Sequence, residues 1–324
     1  MFENSSFFRK LLGFAVFLAL VVIVLGAYTR LSDAGLGCPD WPGCYGQLSV
    51  PDKVAGSEFE RPLESGKAWK EMIHRYVAGT LGLLILAILF MVLRGLPRIK
   101  QSVTLPLLLL ATVVFQALLG MWTVTLLLSP IIVTAHLLGG MTTLSLLWWL
   151  FLNQRSNDQG TFPISSGLKL VFALGLLFVV VQIFLGGWTS SNYAAVACGV
   201  DFPTCASQWW PEMDFSNGFD LTHKTGINYE FGVLDSPARM AIQVAHRIGA
   251  LVVFIYLVGL VLLLFKYKHE KLASFLLLVL FIQVSLGIMN VVFALPLAIA
   301  VLHNIVAALL LLTLIAINHK IFKA

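Results

Sequence analysis

Apolar residues in this chain gather into long unbroken runs instead of alternating with polar ones. Eight such runs, at roughly 11–30, 72–94, 103–126, 130–152, 168–189, 239–265, 272–294 and 297–317, divide the sequence. As helix, a run of about 20 residues crosses the ~30 Å hydrocarbon core of a bilayer. No segment shows the period-2 pattern of a membrane β-strand. The pattern predicts an all-α integral membrane protein with eight transmembrane helices.

The polar interruptions set the orientation. Arg9 and Lys10 precede the first run, Arg94, Arg98 and Lys100 follow the second, and Arg155 and Lys169 flank the connection between the fourth and fifth. Lys266, Lys268 and Lys271 lie between the sixth and seventh runs, and Lys320 and Lys323 follow the last. Such charges stay on the cytoplasmic side. Both termini are therefore expected in the cytoplasm, in a cell inner (plasma) membrane, with long loops at 31–70 and 190–238 on the outer side. The first run also follows a basic n-region as a signal peptide would. It is long for a signal core, has no clear small-x-small cleavage site and has a counterpart later in the chain, so it reads as a span.

Composition agrees with this picture. Apolar residues make up 59% of the 324 and charged residues 11%, too few to cover a soluble surface. The net charge of +5 reflects the loop bias, not a nucleic-acid partner.

The spans fall into two similar sets. "VLGAYTRLSDAGLGCPDWPGC" at 24–44 parallels "FLGGWTSSNYAAVACGVDFPTC" at 184–205, and "QALLGMWTV" at 116–124 parallels "QVSLGIMNV" at 283–291. "QIFLGGWT" at 182–189 echoes both. Equivalent positions are four spans apart, and an even number preserves direction. Parallel repeats about an axis along the membrane normal result. The expected domains are a four-helix bundle at 1–152, a cytoplasmic linker at 153–167 and a second four-helix bundle at 168–324.

Four of the seven histidines, His74, His136, His246 and His303, share one address near the outer end of an even-numbered span. Ionisable groups at one membrane depth are costly unless function requires them. Plain interhelical hydrogen bonding is the simpler reading of any one of them. Repetition favours two haems, each held through both axial positions by histidines from two helices of a bundle. The pairs are His74 with His136, and His246 with His303. Four residues after each histidine stands a small residue, Ala78, Gly140, Ala250 or Ala307, which gives a flat macrocycle clearance on that face. A zinc or copper cluster fits less well, because only Glu71 offers an acidic ligand at that depth. Arg75 and Arg247 either reach haem propionates or snorkel to headgroups. His223, His269 and His319 are expected to be solvated loop or tail residues.

One difference breaks the repeat. Glu71 shares a helix face with His74, whereas Gln243 occupies the matching place beside His246. Iron ligation alone tolerates either, but accepting protons or offsetting developing positive charge requires the carboxylate. Chemistry is therefore expected in the N-terminal half, and a resident, electron-relaying haem in the C-terminal half. The bland alternative is a first-turn acid favoured by the helix dipole. All four cysteines lie in the outer loops and read as two short-loop disulfides, Cys38–Cys44 and Cys198–Cys205, either as structural staples or as a reducible pair.

"TRLSDAGLGCPDWPGCYGQ", "EMIHR", "TAHLLGG", "AHRIGA" and "LHNIVAA", carried on eight spans in two halves, resemble the haem A synthase family over nearly the whole chain. The resemblance implies oxidation of the C8 methyl of haem O to a formyl group by successive hydroxylations, giving haem A for cytochrome oxidase. It further implies haem b between His246 and His303, haem O or its product haem A near His74 and His136, and Glu71 as the catalytic carboxylate. The implied surroundings are membrane lipid and cytochrome oxidase assembly as the product's destination. Candidate partners are a haem O synthase, a quinone as electron partner and a second copy of the chain. The rival reading is a diheme b-type cytochrome, a quinol oxidoreductase that transfers electrons without modifying haem.

Overall fold

The computed structural model describes residues 3–54, 59, 61–95, 102–154, 165–222, 224 and 226–323. Arg98, Lys100, Arg155, His223 and the linker positions 155–164 lie outside the described residues. Among the described residues the regular elements are helices: α1 (Glu3–Leu31), α2 (Ser65–Leu93), α3 (Thr104–Thr125), α4 (Pro130–Asn153), α5 (Ser166–Ser191), α6 (Phe215–Gly218), α7 (Ser236–Lys266), α8 (Glu270–Val292) and α9 (Leu297–Lys323). Eight of these, all but the single turn α6, are long and apolar enough to cross a membrane. The protein is a multi-pass, all-helical membrane protein.

Several helices start earlier than their apolar runs. α2 begins at Ser65 instead of near 72, and α7 at Ser236 instead of near 239. Hydropathy marks only the part of a helix that sits in lipid, and the polar first turns project beyond it. α7 is set by a cap its sequence spells out: Asp235 accepts from the backbone N–H of Ala238 at 3.0 Å, with Pro237 in the first turn. Such a cap satisfies an amide that has no partner within the helix. His319 corrects an expectation, since it is only 7% exposed. The last helix continues through Lys323 with Leu314, Ile317 and Ile321 fully packed, so the expected solvated tail is a buried helical end.

The chain divides into two compact units, Met1–Leu128 with Ala135–Gly160, and Ser129–Thr134 with Thr161–Ala324. In the first, α1 packs along α2, and α2 packs on α3. α4 reaches α1 where the Phe151 ring sits over Gly13, and reaches α3 where the Gln116 amide sits over Gly139. In the second, α5, α7, α8 and α9 each pack on the next, and α9 returns to α5. That ring of contacts closes a four-helix bundle around Phe172, Leu257, Leu260, Leu276 and Leu314.

Each unit carries a long disulfide-bonded loop. Cys38 is bonded to Cys44 and Cys198 to Cys205, as expected from their place in the sequence. An aspartate inside each bridge organises the turn. Asp40 accepts from the N–H groups of Tyr45 (2.6 Å) and Gly46 (2.9 Å), and Asp201 accepts from Ser207 (2.6 Å). Tyr45, Gly46, Ala206 and Ser207 all have positive φ, a conformation that a short acidic side chain can stabilise by bonding the amides of the turn. Burial pushes the Tyr45 phenol above its usual range, and the hydroxyl donates to the Pro62 carbonyl at 3.0 Å.

Candidate active site

The first site is built on the N-terminal third of α2. Glu71 is 4% exposed, and both carboxylate oxygens are engaged. Oε2 accepts from the backbone N–H of Cys38 at 2.9 Å, and Oε1 accepts from Arg75 one turn further on. The same guanidinium donates through its other terminal nitrogen to the carbonyls of Asp40 (3.0 Å), Pro42 (3.2 Å) and Gly43. The disulfide loop is thus strapped to the helix through one arginine and one acid. Close approach is essential there: a Cβ on Gly37 would fall 2.6 Å from the Lys67 carbonyl carbon and 2.7 Å from the Ala68 nitrogen. Only a residue without a side chain fits.

His74 follows Glu71 by three residues and meets His136 of α4. Their ring centroids are 6.5 Å apart with planes at 90°. A metal–imidazole bond of about 2 Å on each side, with about 1 Å from ring nitrogen to ring centre, puts two axial imidazoles of one iron roughly 6 Å apart. The observed separation fits that geometry. A Cβ added at Gly140, one turn beyond His136, would meet no atom within 4 Å, which leaves clearance on that face for a macrocycle. His74 and His136 each have a buried Nδ1 without a hydrogen-bond partner. The structure brings His74 and His136 together, with Glu71 three residues before His74 on α2.

The second site uses the same positions with different chemistry. Gln243, at Glu71's place, is 3% exposed and its Oε1 has no partner. Arg247 donates to the Thr204 carbonyl at 2.8 Å, but its buried Nε and Nη2 have no partner. Arg75 and Arg247 look alike in sequence and differ here: the first has both terminal nitrogens committed to Glu71 and the loop, while the second has two donors to spare. A carboxylate such as a propionate is the natural complement of those donors.

Each of the four histidines faces a glycine on the neighbouring helix. A Cβ at Gly26, Gly120, Gly186 or Gly287 would lie 3.0, 3.4, 3.3 or 3.2 Å from Cε1 of His74, His136, His246 or His303, respectively. The sequence repeats "QALLG", "QIFLG" and "QVSLG" contain three of these glycines, yet spacing alone did not show that each lies against an imidazole. The glutamines four residues earlier were also missed as site residues. Gln182 Nε2 lies 3.1 Å from His246 Nδ1 and 3.0 Å from the His246 carbonyl, and Gln283 Nε2 lies 3.2 Å from His303 Nε2. Their recurrence one turn before the glycine was the available signal.

Fold and site together define a helical membrane protein with paired intramembrane histidines in each of two units and one buried acid in the first. The chain belongs to the COX15-CtaA family of cytochrome oxidase assembly proteins, whose description it matches over residues 9–315. It is similar to the protein named Heme A synthase from Shewanella oneidensis, with 49% identity over 317 residues covering 95% of each chain. It is also similar to those of the same name from Halalkalibacterium halodurans (24%, 94% of each chain) and Rickettsia felis (26%, 95% of this chain and 96% of that one).

Proposed function

We propose that this protein is a haem A synthase, a membrane oxidoreductase that converts the C8 methyl of haem O to a formyl group by successive hydroxylations. The observation that carries the reading is the contrast between Glu71 and Gln243 at equivalent places beside histidine pairs. Haem O, the substrate, binds between His74 and His136 in the first unit. Haem b, the resident cofactor, binds between His246 and His303 in the second and supplies one-electron chemistry when bound. Arg247 holds a propionate with its two spare donors. Arg75 holds Glu71 and the disulfide loop in register with His74.

Glu71 is the catalytic carboxylate. Cys38 N–H and the Arg75 guanidinium fix both of its oxygens, so it is oriented before substrate arrives. A fixed carboxylate stabilises positive charge that develops as hydrogen leaves a methyl group, and it can take a proton. Lipid-facing helices suit a prenylated substrate, which enters from the bilayer and not from water.

The basic inner loops and the disulfides in the two long loops support a cell inner (plasma) membrane location with cytoplasmic termini. Haem O synthase is the proposed supplier, cytochrome oxidase assembly the destination and a quinone the electron partner, with self-association a further expectation. Purification with and without a co-expressed haem O supply, followed by acid-acetone extraction and chromatography, tests the assignment. Haem A appearing only with that supply is the expected result. Haem b alone in both preparations would establish the diheme cytochrome instead.

A further inference from the structure

The second disulfide loop is seated on one face of α7, and that face decides what covers it. The Cys198–Cys205 bridge packs on Val244, with Met213 and Met240 against the same cluster. Arg247 donates to the Thr204 carbonyl at 2.8 Å, and its guanidinium carbon lies 6.0 Å from the Phe202 ring centre. Met240 and Val244 are four residues apart, so they share a helix face that continues through Ile248, Leu251 and Ile255. Those three are exposed, as lipid-facing residues of a span are. The loop therefore sits at the head of the lipid-facing stripe of α7, not on its packed side.

Depth follows from helix length. α7 has 31 residues, about 46 Å of helix at 1.5 Å per residue. The hydrocarbon layer accounts for ~30 Å, so a centred helix meets the headgroup boundary about 8 Å inside each end. Val244 lies about 12 Å along from Ser236, which puts the bridge at or just inside that boundary. A water-soluble partner would have to displace lipid to reach a surface at this depth.

The surface of the loop suits that place. Trp209 is 76% exposed and Trp210 67%, and Val200 and Phe202 are exposed on the same loop. Soluble domains carry about 25% charged residues, whereas Asp201 is the one charged residue between Asn192 and Pro211. Its carboxylate is already engaged by the backbone N–H and hydroxyl of Ser207. Tryptophan concentrates where lipid meets water, because its ring is apolar and its N–H is not. The first unit's loop rests on α2 in the same manner, through Ala68 and Met72. Among its described residues, however, Trp41 and Leu48 are the only exposed large apolar side chains.

We propose that the second disulfide loop is a lipid-binding foot, whose Val200, Phe202, Trp209 and Trp210 insert into the interfacial layer of the bilayer beside α7 with phospholipid as their partner. The buried bridge against Val244 holds the foot on its helix.

All four cysteines are bridged, so one introduced cysteine gives a nitroxide label a single attachment point. Trp209→Cys, Trp210→Cys and Val200→Cys, each in full-length protein reconstituted in phosphatidylcholine vesicles, are read by electron paramagnetic resonance. Lys53→Cys, at an exposed loop cation, and Ile255→Cys, at an exposed position within the span, mark water and lipid. Oxygen dissolves in lipid, while a polar nickel chelate is excluded from it. Labels at 200, 209 and 210 should favour oxygen over the chelate, as at 255, and should meet the chelate about tenfold less often than a label at 53. Collision with the chelate at the rate seen at 53 would put the loop in water and overturn the proposal. Shielding from both reagents would mean that protein, such as a second copy of the chain, covers the loop, and would overturn it equally. Val200→Cys keeps both tryptophans, so the test stands even if replacing one of them unfolds the loop.

Discussion

Near the N-terminal end of α2, a buried carboxylate, an arginine and a row of loop carbonyls are tied into one network. Near the N-terminal end of α7, the same positions hold an uncharged amide and an arginine with two unused donors. The backbone framework is common to both, with a disulfide, an aspartate-organised turn and a glycine against each histidine. Two units can thus share a loop framework and a histidine set, while a few side chains set their sites apart. In the first unit the arginine's binding capacity is used internally, to hold an acid. In the second it is free for an external anion.

The strongest way to break the comparison is to make the first site resemble the second. Glu71→Gln should retain haem but lower formyl formation at least about 100-fold, the lower range for losing a positioned acid–base group. Chromatography of extracted pigments checks this, and wild-type turnover would remove Glu71 from the mechanism. Gln243→Glu should create no activity in the second unit, because Arg247 there is not aligned to a loop that holds an acid.

Removing the arginines should separate the halves again. Arg75→Ala leaves a buried carboxylate with its cation gone, a change that costs about 3 kcal/mol or more in buried pairs. Thermal unfolding in detergent should show a marked loss of stability, with activity lost as well. Arg247→Ala should cost less stability and instead weaken retention of the C-terminal haem, read from the haem-to-protein ratio.

Loss of either disulfide should remove about 2 kcal/mol on the chain-entropy view of a short loop, with different consequences for turnover. Cys38→Ser with Cys44→Ser loosens the loop whose N–H holds Glu71, so turnover should fall along with stability. Cys198→Ser with Cys205→Ser should leave the first site's carboxylate in place. Equal losses of turnover in both double variants would break the proposed link between the first loop and the acid.

The smallest effect concerns Asp214 in the second outer loop. The amide N–H of Asn217, donating to its carboxylate, holds its pKa below the usual carboxylate range. A carboxyl whose folded pKa is depressed contributes stability above the unfolded value of about 3.9, and loses it as pH falls through the lower folded value. Hydrogen exchange across residues 215–218 should therefore speed up only under strong acid.

Much of this architecture was legible in the linear pattern. Long apolar runs become spans because lipid offers the backbone no hydrogen-bonding partners, so hydropathy alone located the eight crossings. Glu71 and the histidines stood out because such groups are costly at that depth. The fates of Arg75 and Arg247 were hidden, since they depend on which loop carbonyls fold back onto each helix. His319 misled because a basic tail resembles a solvated end until the helix carrying it is seen packed. The glutamines were visible as a repeat, but their meaning required knowing which ring nitrogen each amide approaches.

The four bare backbone positions beneath the imidazoles also act as an angular index. Helices in lipid gain little from burying apolar surface against one another, so shape must set how each is turned about its own axis. A turn of one residue, about 100°, toward the preceding position would swing the notch at Gly26, Gly120, Gly186 or Gly287 away and bring Leu25, Leu119, Leu185 or Leu286 against the ring. A single hydrogen-for-methyl exchange at Gly26 would already press a carbon to 3.0 Å from the His74 ring. Correct azimuth in this molecule is therefore recorded by missing side chains rather than by present ones.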